Sequence, residues 1–264
     1  MKKIIRFLIV ATGLLFLQHS IYTTNNEEII PESKITPGTI VLLNGTSSAG
    51  KSTLLYRLHQ KYYPSFCIAR IDDFIKTPKG SNPKTKYHNF YTYIKEVAQS
   101  GTSVLVDTVS YQQDYEKYNA LLKPCKVIKV LVYCPLDGLI MHVQQRNKLA
   151  NSREHRILNL AFWQYLTLYR VKNSSTDITI DHMTRNQAKQ AIAQSEKMAE
   201  TLPWRKSRNL RKINRNIMKE FEIEKSPTIN ITPKHSWDFI INTHINSPDI
   251  LAQNVVNFVE SLFN

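Results

Sequence analysis

Five short, mostly apolar segments alternate with longer stretches along most of the chain. The segments are 39–43, 66–71, 103–106, 126–133 and 237–242. A continuous apolar run of this length is typical of a strand that is buried on both faces of a sheet. In the stretches between them, apolar residues recur every three or four positions, which predicts amphipathic helices. The alternation predicts an α/β fold, a three-layer sandwich around a mostly parallel sheet.

Residues 172–235 interrupt this alternation. Thr184 and Gln187 have the spacing of a capping box, which satisfies the first backbone N–H groups of a helix. A second helical pattern in the same region contains Leu210, Ile213, Ile217 and Phe221. We therefore predict a helical hairpin, inserted at about 172–235 into a domain that spans residues 36–264.

Residues 1–24 have the layout of a secretory signal peptide. Lys2, Lys3 and Arg6 precede an apolar run, 7–17, and mainly polar residues follow. This run is shorter than the ~20 residues that a membrane-spanning helix needs. We expect a signal peptide or an uncleaved anchor, which would place the protein in a periplasm or the medium. If the segment is instead a helix packed on the domain, the protein is cytoplasmic, and the membrane is a partner only through this segment.

The composition is that of a globular protein with a strongly basic surface. Lys and Arg number 35 against 21 Asp and Glu, so the net charge is +14. Such a surface favours anionic partners, among them nucleotides, phosphorylated metabolites, nucleic acid and acidic lipid. Several basic residues crowd into the insertion: Arg205, Lys206, Arg208, Arg211, Lys212, Arg215 and Lys219. One interpretation of this cluster is a binding surface for nucleic acid, which is therefore an alternative partner. The other is a helix face that is simply exposed to solvent, which has the same composition.

The motif that carries the chemistry follows the first predicted strand. Residues 45–52, Gly-Thr-Ser-Ser-Ala-Gly-Lys-Ser, match GxxxxGK[ST], the phosphate-binding P-loop. Backbone N–H groups of such a loop bind phosphate at a helix N-terminus, Lys51 reaches the outer phosphates, and the Ser52 hydroxyl ligates Mg²⁺. ATP or GTP with Mg²⁺ is therefore expected. The residues assigned to nucleotide binding are Gly45, Thr46, Ser47, Ser48, Ala49, Gly50, Lys51, Ser52, Thr53 and Arg146.

Acidic residues follow two of the predicted strands. Asp72 and Asp73 come after the second strand, and Asp107 comes after the third. Ligands of parallel sheets bind at the carboxyl ends of the strands. A phosphotransferase needs one carboxylate to orient or deprotonate the attacking hydroxyl, and one often holds Mg²⁺ or its waters. We assign the first, catalytic role to Asp72 and the metal-binding role to Asp107.

A basic cluster lies in and after the helix that follows the fourth strand. It contains Arg146, Arg153 and Arg156. Arginine neutralises the charge that spreads over a transferred phosphoryl group, because its planar guanidinium donates several hydrogen bonds. We therefore expect Arg153 and Arg156 to act with Lys51 in catalysis, on a lid that closes over the nucleotide.

These motifs resemble the chloramphenicol phosphotransferase-like branch of the small P-loop kinases. Residues 42–52 look like that family's Leu-Asn-Gly-x-Ser-Ser-Ala-Gly-Lys-Ser signature. Asp72, after an isoleucine, looks like the family's apolar-Asp pair, whose Asp is the proposed catalytic base. Arg153 and Arg156, followed by Gln164, resemble its lid spacing. The resemblance implies a P-loop NTPase fold and phosphoryl transfer to a hydroxyl.

The resemblance covers residues 39–170 and 237–262, with departures. Thr108 stands where the family tends to have a second acidic residue, and the insertion has no counterpart. The resulting prediction is an ATP- or GTP-dependent kinase, a phosphotransferase that acts on a hydroxyl of a small molecule. One alternative is a polynucleotide or RNA kinase, or a P-loop protein that binds nucleic acid. The other is a non-catalytic nucleotide-binding module.

Overall fold

The five predicted strands form one parallel sheet. In the computed structural model they are β1 (Ile40–Asn44), β2 (Cys67–Arg70), β3 (Val104–Thr108), β4 (Val127–Tyr133) and β8 (Phe239–Asn242). Their order in the sheet is β2-β3-β1-β4-β8, and every neighbouring pair is parallel. All five strand predictions are confirmed. Because β1 lies at the centre, its carboxyl end, where the P-loop begins, is flanked by neighbours on both sides.

The structure describes most of the chain from residue 36 onward. The described residues are 36, 38–75, 83–109, 112–149, 161, 164–165, 168–171, 179–187, 189–190, 193, 211, 215, 219 and 228–264. The predicted targeting segment, 1–24, and the predicted lid residues Arg153 and Arg156 lie outside these residues. Within the described part of the chain, no helix is long and apolar enough to cross a membrane.

Six helices have both of their ends within the described part of the chain. They are α1 (Lys51–Lys61), α2 (Ile71–Ile75), α3 (Pro83–Gln99), α4 (Gln112–Leu122), α5 (Leu136–Leu149) and α6 (Pro248–Ser261). The last of them begins at Pro248, which occupies its first turn, and the Ser247 hydroxyl accepts a hydrogen bond from the Ile250 N–H. β2 ends at Arg70, one residue earlier than predicted, and the acidic pair Asp72 and Asp73 that follows it lies in α2.

The packing of β1 explains why its first four residues, 40–43, are all apolar. Val41 and Leu43 pack in one apolar core with α1, α5 and α6, whereas Ile40 and Leu42 pack in a second core with α3 and α4. Successive side chains of a strand point to opposite faces, so a strand between two helical layers buries all of them. Burying each of these side chains contributes roughly 1.5–3 kcal/mol. The result is the predicted three-layer α/β sandwich.

The inserted region contains strands as well as helical residues. A second, antiparallel sheet has the order β5-β7-β6, built from β5 (Tyr169–Val171), β6 (Asp181–Thr184) and β7 (Thr228–Pro233). The prediction of a purely helical insertion at 172–235 is therefore wrong at both of its ends. The capping box is confirmed, since the Thr184 N–H donates to Gln187 Oε1 (2.8 Å) and the Gln187 N–H donates to Thr184 Oγ1 (3.2 Å).

Candidate active site

The loop between β1 and α1 has the backbone conformation of a phosphate cradle. Gly50 (φ 91°) and Ser48 (φ 64°) adopt the left-handed region, which a glycine tolerates at position 50 without strain. A Cβ atom on Gly45 would collide with the Val132 carbonyl oxygen of β4. Both glycines of the motif are therefore required by geometry, one by its φ angle and the other by close packing against the neighbouring strand.

The cradle has unfilled donors that suit a phosphate. The N-cap of α1 is Gly50, which has no side chain to cap the helix, and no acidic residue lies in the first turn of α1. The hydroxyl groups of Thr46 and Ser48 are buried without a hydrogen-bond partner among the described residues. Buried polar groups usually have partners, so these atoms fit a bound group. Because a helix N-terminus favours negative charge, the fitting group is an anion such as a nucleotide phosphate.

Lys51 is held inside the loop. Its side chain is 7% exposed, and Nζ donates to the Thr46 carbonyl oxygen (2.8 Å) and lies 3.8 Å from Asp107 Oδ1. Burial lowers the pKa of Lys51, while the nearby carboxylates of Asp107 and Asp72 oppose that change. Because this ammonium group is partly desolvated, its electrostatic attraction to an anionic ligand is stronger than that of a lysine in water.

Ser52 and Asp107 meet across the sheet as the sequence predicts. The Ser52 hydroxyl donates to Asp107 Oδ2 at 2.5 Å. Asp107 occupies this place because β3 pairs with β1 in parallel register, Leu43 opposite Asp107. A hydroxyl and a carboxylate are oxygen ligands of the kind that Mg²⁺ prefers, so this pair fits the ion. The neighbouring Thr108 is fully buried and hydrogen-bonded to the Tyr91 hydroxyl (3.0 Å) within the core.

The acidic pair of α2 lies just after the end of β2. Asp72 is exposed, and it is close enough to Lys51 to favour the charged form of that lysine. Asp73 is also exposed, with its Oδ2 3.9 Å from Arg70 Nη1. Asp72 therefore shares the electrostatic environment of the phosphate cradle, as a carboxylate acting on the acceptor hydroxyl must.

A cleft of about 650 Å³ opens beside the P-loop, and neither Asp72 nor Asp107 is among the described residues that line it. Lys51, Ser52 and Thr53 line it from the P-loop, Arg146 lines it from α5, and Arg70 lines it from the end of β2. The structure thus brings Arg146 to the site, as predicted.

Three side chains that sequence reasoning did not assign to the P-loop hold its backbone. The Ser47 N–H donates to Oε1 of the buried Gln164 (2.5 Å). His142 Nδ1 lies 3.2 Å from the Ser48 carbonyl oxygen, and the Thr243 hydroxyl donates to the Ala49 carbonyl oxygen (2.8 Å). Of the three, only Gln164 left a signal in the sequence, through the lid spacing, and its contact with the loop spans 117 positions.

The family comparison agrees with this geometry. The sequence model of the chloramphenicol phosphotransferase-like protein family matches residues 38–198 of the chain. That range includes the P-loop, the acidic pair after β2, Asp107 within β3, and Gln164. No curated protein sequence matches the chain.

Several solved structures are distantly similar. The Mycobacterium tuberculosis APS kinase CysC, in complex with AMPPNP and APS, is 15% identical with a TM-score of 0.47, covering 86% of this chain and 99% of its own. Shikimate kinase from Acinetobacter baumannii, in complex with shikimate, is 15% identical with a TM-score of 0.41, covering 87% and 96%. The Pnkp1/Rnl/Hen1 RNA repair complex matches at 11% identity with a TM-score of 0.39, covering 83% and 84%. At these scores the likenesses carry no argument about substrate.

Proposed function

We propose that this chain, which belongs to the chloramphenicol phosphotransferase-like family, is a kinase that transfers a phosphoryl group from ATP or GTP to a hydroxyl of a small molecule. The observation that carries the proposal is the arrangement of Lys51, Ser52 and Asp107 at one phosphate cradle. A phosphate loop alone would serve a binding module, whereas a lysine, a metal-type oxygen pair and a nearby carboxylate together serve phosphoryl transfer.

Each group then has a role in one displacement. The acceptor oxygen forms a bond to the terminal phosphorus, the bond from that phosphorus to the bridging oxygen breaks, and the nucleoside diphosphate leaves. Asp72 orients the hydroxyl and accepts its proton, and Lys51 stabilises the phosphate oxygens. Ser52 and Asp107 would hold Mg²⁺, which when bound neutralises charge on the phosphates.

Arg153 and Arg156, outside the described residues, complete the proposal as charge-stabilising groups of a lid. Interactions made only in the transition state lower turnover when removed and leave ground-state affinity intact. We therefore expect Arg153→Ala and Arg156→Ala to lower turnover more than nucleotide affinity. Equal losses in both quantities would assign these residues to ground-state binding.

The proposal is tested with the purified protein and two measurements. A thermal-shift screen of ATP, GTP and hydroxylated metabolites with Mg²⁺ identifies ligands, because a ligand that binds the folded state raises the melting temperature. Transfer of a radiolabelled terminal phosphate to each stabilising metabolite then measures the reaction. Nucleotide binding with no transfer to any hydroxyl compound would favour the non-catalytic module instead.

One observation favours nucleic acid as a second candidate acceptor. Arg211, Arg215 and Lys219 are exposed, have helical backbone, and are spaced by four residues, so they share one face. A basic stripe suits the backbone of a single strand. An oligonucleotide with a 5′-hydroxyl tests this candidate: labelling of its end, with binding that weakens steeply as salt rises, would support it. Labelling of metabolites alone would reject it.

We propose that residues 1–24 direct export of the protein. Export would set the compartment in which the reaction takes place. A compartment outside the cytosol holds little ATP, so the location decides whether the donor is available there. Fusing residues 1–30 to a reporter that works only outside the cytosol tests the proposal, and a silent reporter would contradict it.

A further inference from the structure

Arg70 occupies a position that the proposed reaction has not used. It is the last residue of β2, and in the register of the sheet it lies opposite Asp107 of β3. Its side chain lines the same cleft as Lys51 and Ser52. Arg70 therefore brings a permanent positive charge to the carboxyl edge of the sheet, beside the residues that would hold the phosphates and Mg²⁺.

The guanidinium of Arg70 is oriented but not saturated. Nη1 donates to the Tyr56 hydroxyl of α1 (3.0 Å), and the guanidinium carbon lies 5.6 Å from the centre of the Tyr56 ring. Asp73 Oδ2 lies 3.9 Å from Nη1, too far for a hydrogen bond. The Nε donor is buried and has no hydrogen-bond partner among the described residues. A planar group with fixed orientation and a spare donor is suited to a multidentate anion.

The charges of the cleft point to the same kind of ligand. Among the described residues that line it, three are cationic, Lys51, Arg70 and Arg146, and none is acidic. Asp107 lies 3.8 Å from Lys51 and Asp73 lies 3.9 Å from Arg70, but both carboxylates are outside the lining, so the surface that faces the cleft is cationic and attracts an anion. A nucleoside triphosphate supplies several negative charges in a row.

The topology indicates which phosphate Arg70 meets. The P-loop follows β1, the central strand; Arg146 comes from the helix after β4, on one side, and Arg70 ends β2, on the other. Asp72, the proposed acceptor-orienting residue, follows Arg70 by two positions. Arg70 thus lies at the acceptor end of the cleft, the end to which the terminal phosphate must point.

We propose that Arg70 binds the terminal phosphoryl group of the nucleotide and stabilises its charge during transfer, with Tyr56 as the positioning residue that orients the guanidinium. This inference rests on the proposed kinase function. Arg70 exchanges no proton and forms no covalent bond in this role. It is distinct from the lid arginines, because it is part of the sheet and needs no closure to reach the cleft.

The experiment compares Arg70→Gln, Arg70→Lys and Tyr56→Phe with Arg57→Gln as a matched control. Arg57 belongs to the same helix as Tyr56, is exposed, and pairs at 3.9 Å with Asp249, which does not line the cleft. The measurements are melting temperature, affinity for ADP and for a non-hydrolysable ATP analogue with Mg²⁺, and single-turnover transfer.

For Arg70→Gln we expect affinity for the ATP analogue to fall about tenfold, affinity for ADP to stay within about twofold, and turnover to fall roughly 10²–10³-fold. Arg70→Lys keeps the charge and should recover part of the turnover. Tyr56→Phe should lower turnover in the same direction by a few-fold, and Arg57→Gln should match the unmodified protein. If Arg70→Gln fails to fold, the turnover of Arg70→Lys and Tyr56→Phe tests the proposed role of Arg70 instead.

Two results would overturn the proposed role of Arg70 and leave the proposed kinase function intact. One is an equal loss of ADP and ATP-analogue affinity, which would place Arg70 at the inner phosphates. The other is wild-type turnover in Arg70→Gln or, where that variant does not fold, in both Arg70→Lys and Tyr56→Phe. If the unmodified protein binds neither nucleotide, the proposed function itself fails and the role of Arg70 fails with it.

Discussion

The two ends of the cleft are built in different ways. At the donor end, the P-loop backbone is held by Gln164, His142 and Thr243, which come from three separate segments, and the buried Lys51 lies within the loop. At the proposed acceptor end, Asp72, which does not itself line the cleft, is an exposed residue of the five-residue helix α2. The donor end is therefore preorganised by tertiary contacts, while the acceptor end leaves its carboxylate accessible.

This difference has a functional reason. A phosphate loop must present its donors in one geometry to whichever nucleotide arrives, and rigid preorganised dipoles stabilise charge without a cost of reorganisation during the reaction. An acceptor-orienting carboxylate must instead reach a hydroxyl on a molecule that enters from solvent. We therefore expect substitutions in the phosphate cradle to weaken nucleotide binding, with or without a loss of turnover, and substitution of Asp72 to lower turnover alone.

The largest expected effect separates the adjacent residues Asp72 and Asp73. Asp72→Asn keeps the size of the side chain and removes the charge that accepts the proton, so turnover should fall roughly 10²–10⁴-fold with nucleotide affinity nearly unchanged. Asp73→Asn is the matched control and should have a much smaller effect. Single-turnover transfer and nucleotide affinity measure both. Greater damage from Asp73→Asn would reverse the two roles.

Lys51→Ala should affect both quantities. The ammonium group lies in the cradle, so its removal should weaken nucleotide binding and lower turnover by roughly 10²–10³-fold. Lys61→Ala is the control, since Lys61 lies on the same helix and forms its ion pair with Asp249 (2.7 Å), away from the loop. Normal nucleotide affinity in Lys51→Ala would show that the cradle works without its lysine.

Gln164→Leu tests whether long-range support makes the donor end rigid. Losing one buried hydrogen bond, that of the Ser47 N–H, costs about 1–2 kcal/mol, so nucleotide affinity should fall about tenfold. Gln253→Leu is the control, because Gln253 is exposed on α6 and accepts its hydrogen bond from the Tyr62 hydroxyl (3.0 Å). Titration of an ATP analogue measures both variants. Wild-type affinity in Gln164→Leu would mean that the loop keeps its geometry without this contact.

The smallest effect concerns stability and pH in the nucleotide-free protein. Burial lowers the pKa of Lys51 in the folded state, so from that lowered pKa up to the ordinary value of 10.5 the unfolded chain binds more protons. Stability of the unmodified protein relative to Lys51→Met should therefore rise with pH through this window. Denaturant unfolding at several pH values measures the difference.

A matched control exists for this pH dependence. Hydrogen bonding to Asp249 raises the pKa of Lys61, so its contribution is fully present below 10.5 and is lost only above that value. The stability difference between the unmodified protein and Lys61→Met should therefore stay flat below 10.5. A parallel slope in both variants would contradict the special environment of Lys51.

Local pattern was enough to predict the main sheet and the phosphate loop. The apolar runs at β1, β3 and β4 are long and bounded by turn-forming residues, and the P-loop follows β1 directly. The meeting of Ser52 and Asp107 was also predicted, because carboxyl ends of neighbouring parallel strands share one edge. The small sheet β5-β7-β6 was missed: its strands are short, and β7 is separated from both partners by long segments.

Other parts of the site could not be found in the sequence. Arg70 is one arginine among many in a basic chain, and only the register of β2 with β3 and the contact with Tyr56 place it in the cleft. His142 and Thr243 belong to no motif, since each acts on the loop through a contact that depends on how α5 and β8 pack. Side-chain identity by itself does not encode such proximity.

The sequence by itself therefore determined the layered α/β architecture, the phosphate loop and the acidic residues at the strand ends. These features depend on residue periodicity and on backbone rules that act within a few positions. The tertiary structure alone decided how the loop is held, that Asp72 lies in the first turn of a helix, and that Arg70 lines the same cleft as Lys51. Those outcomes depend on distances between segments far apart in the chain, which are set only when both apolar faces of the sheet are packed.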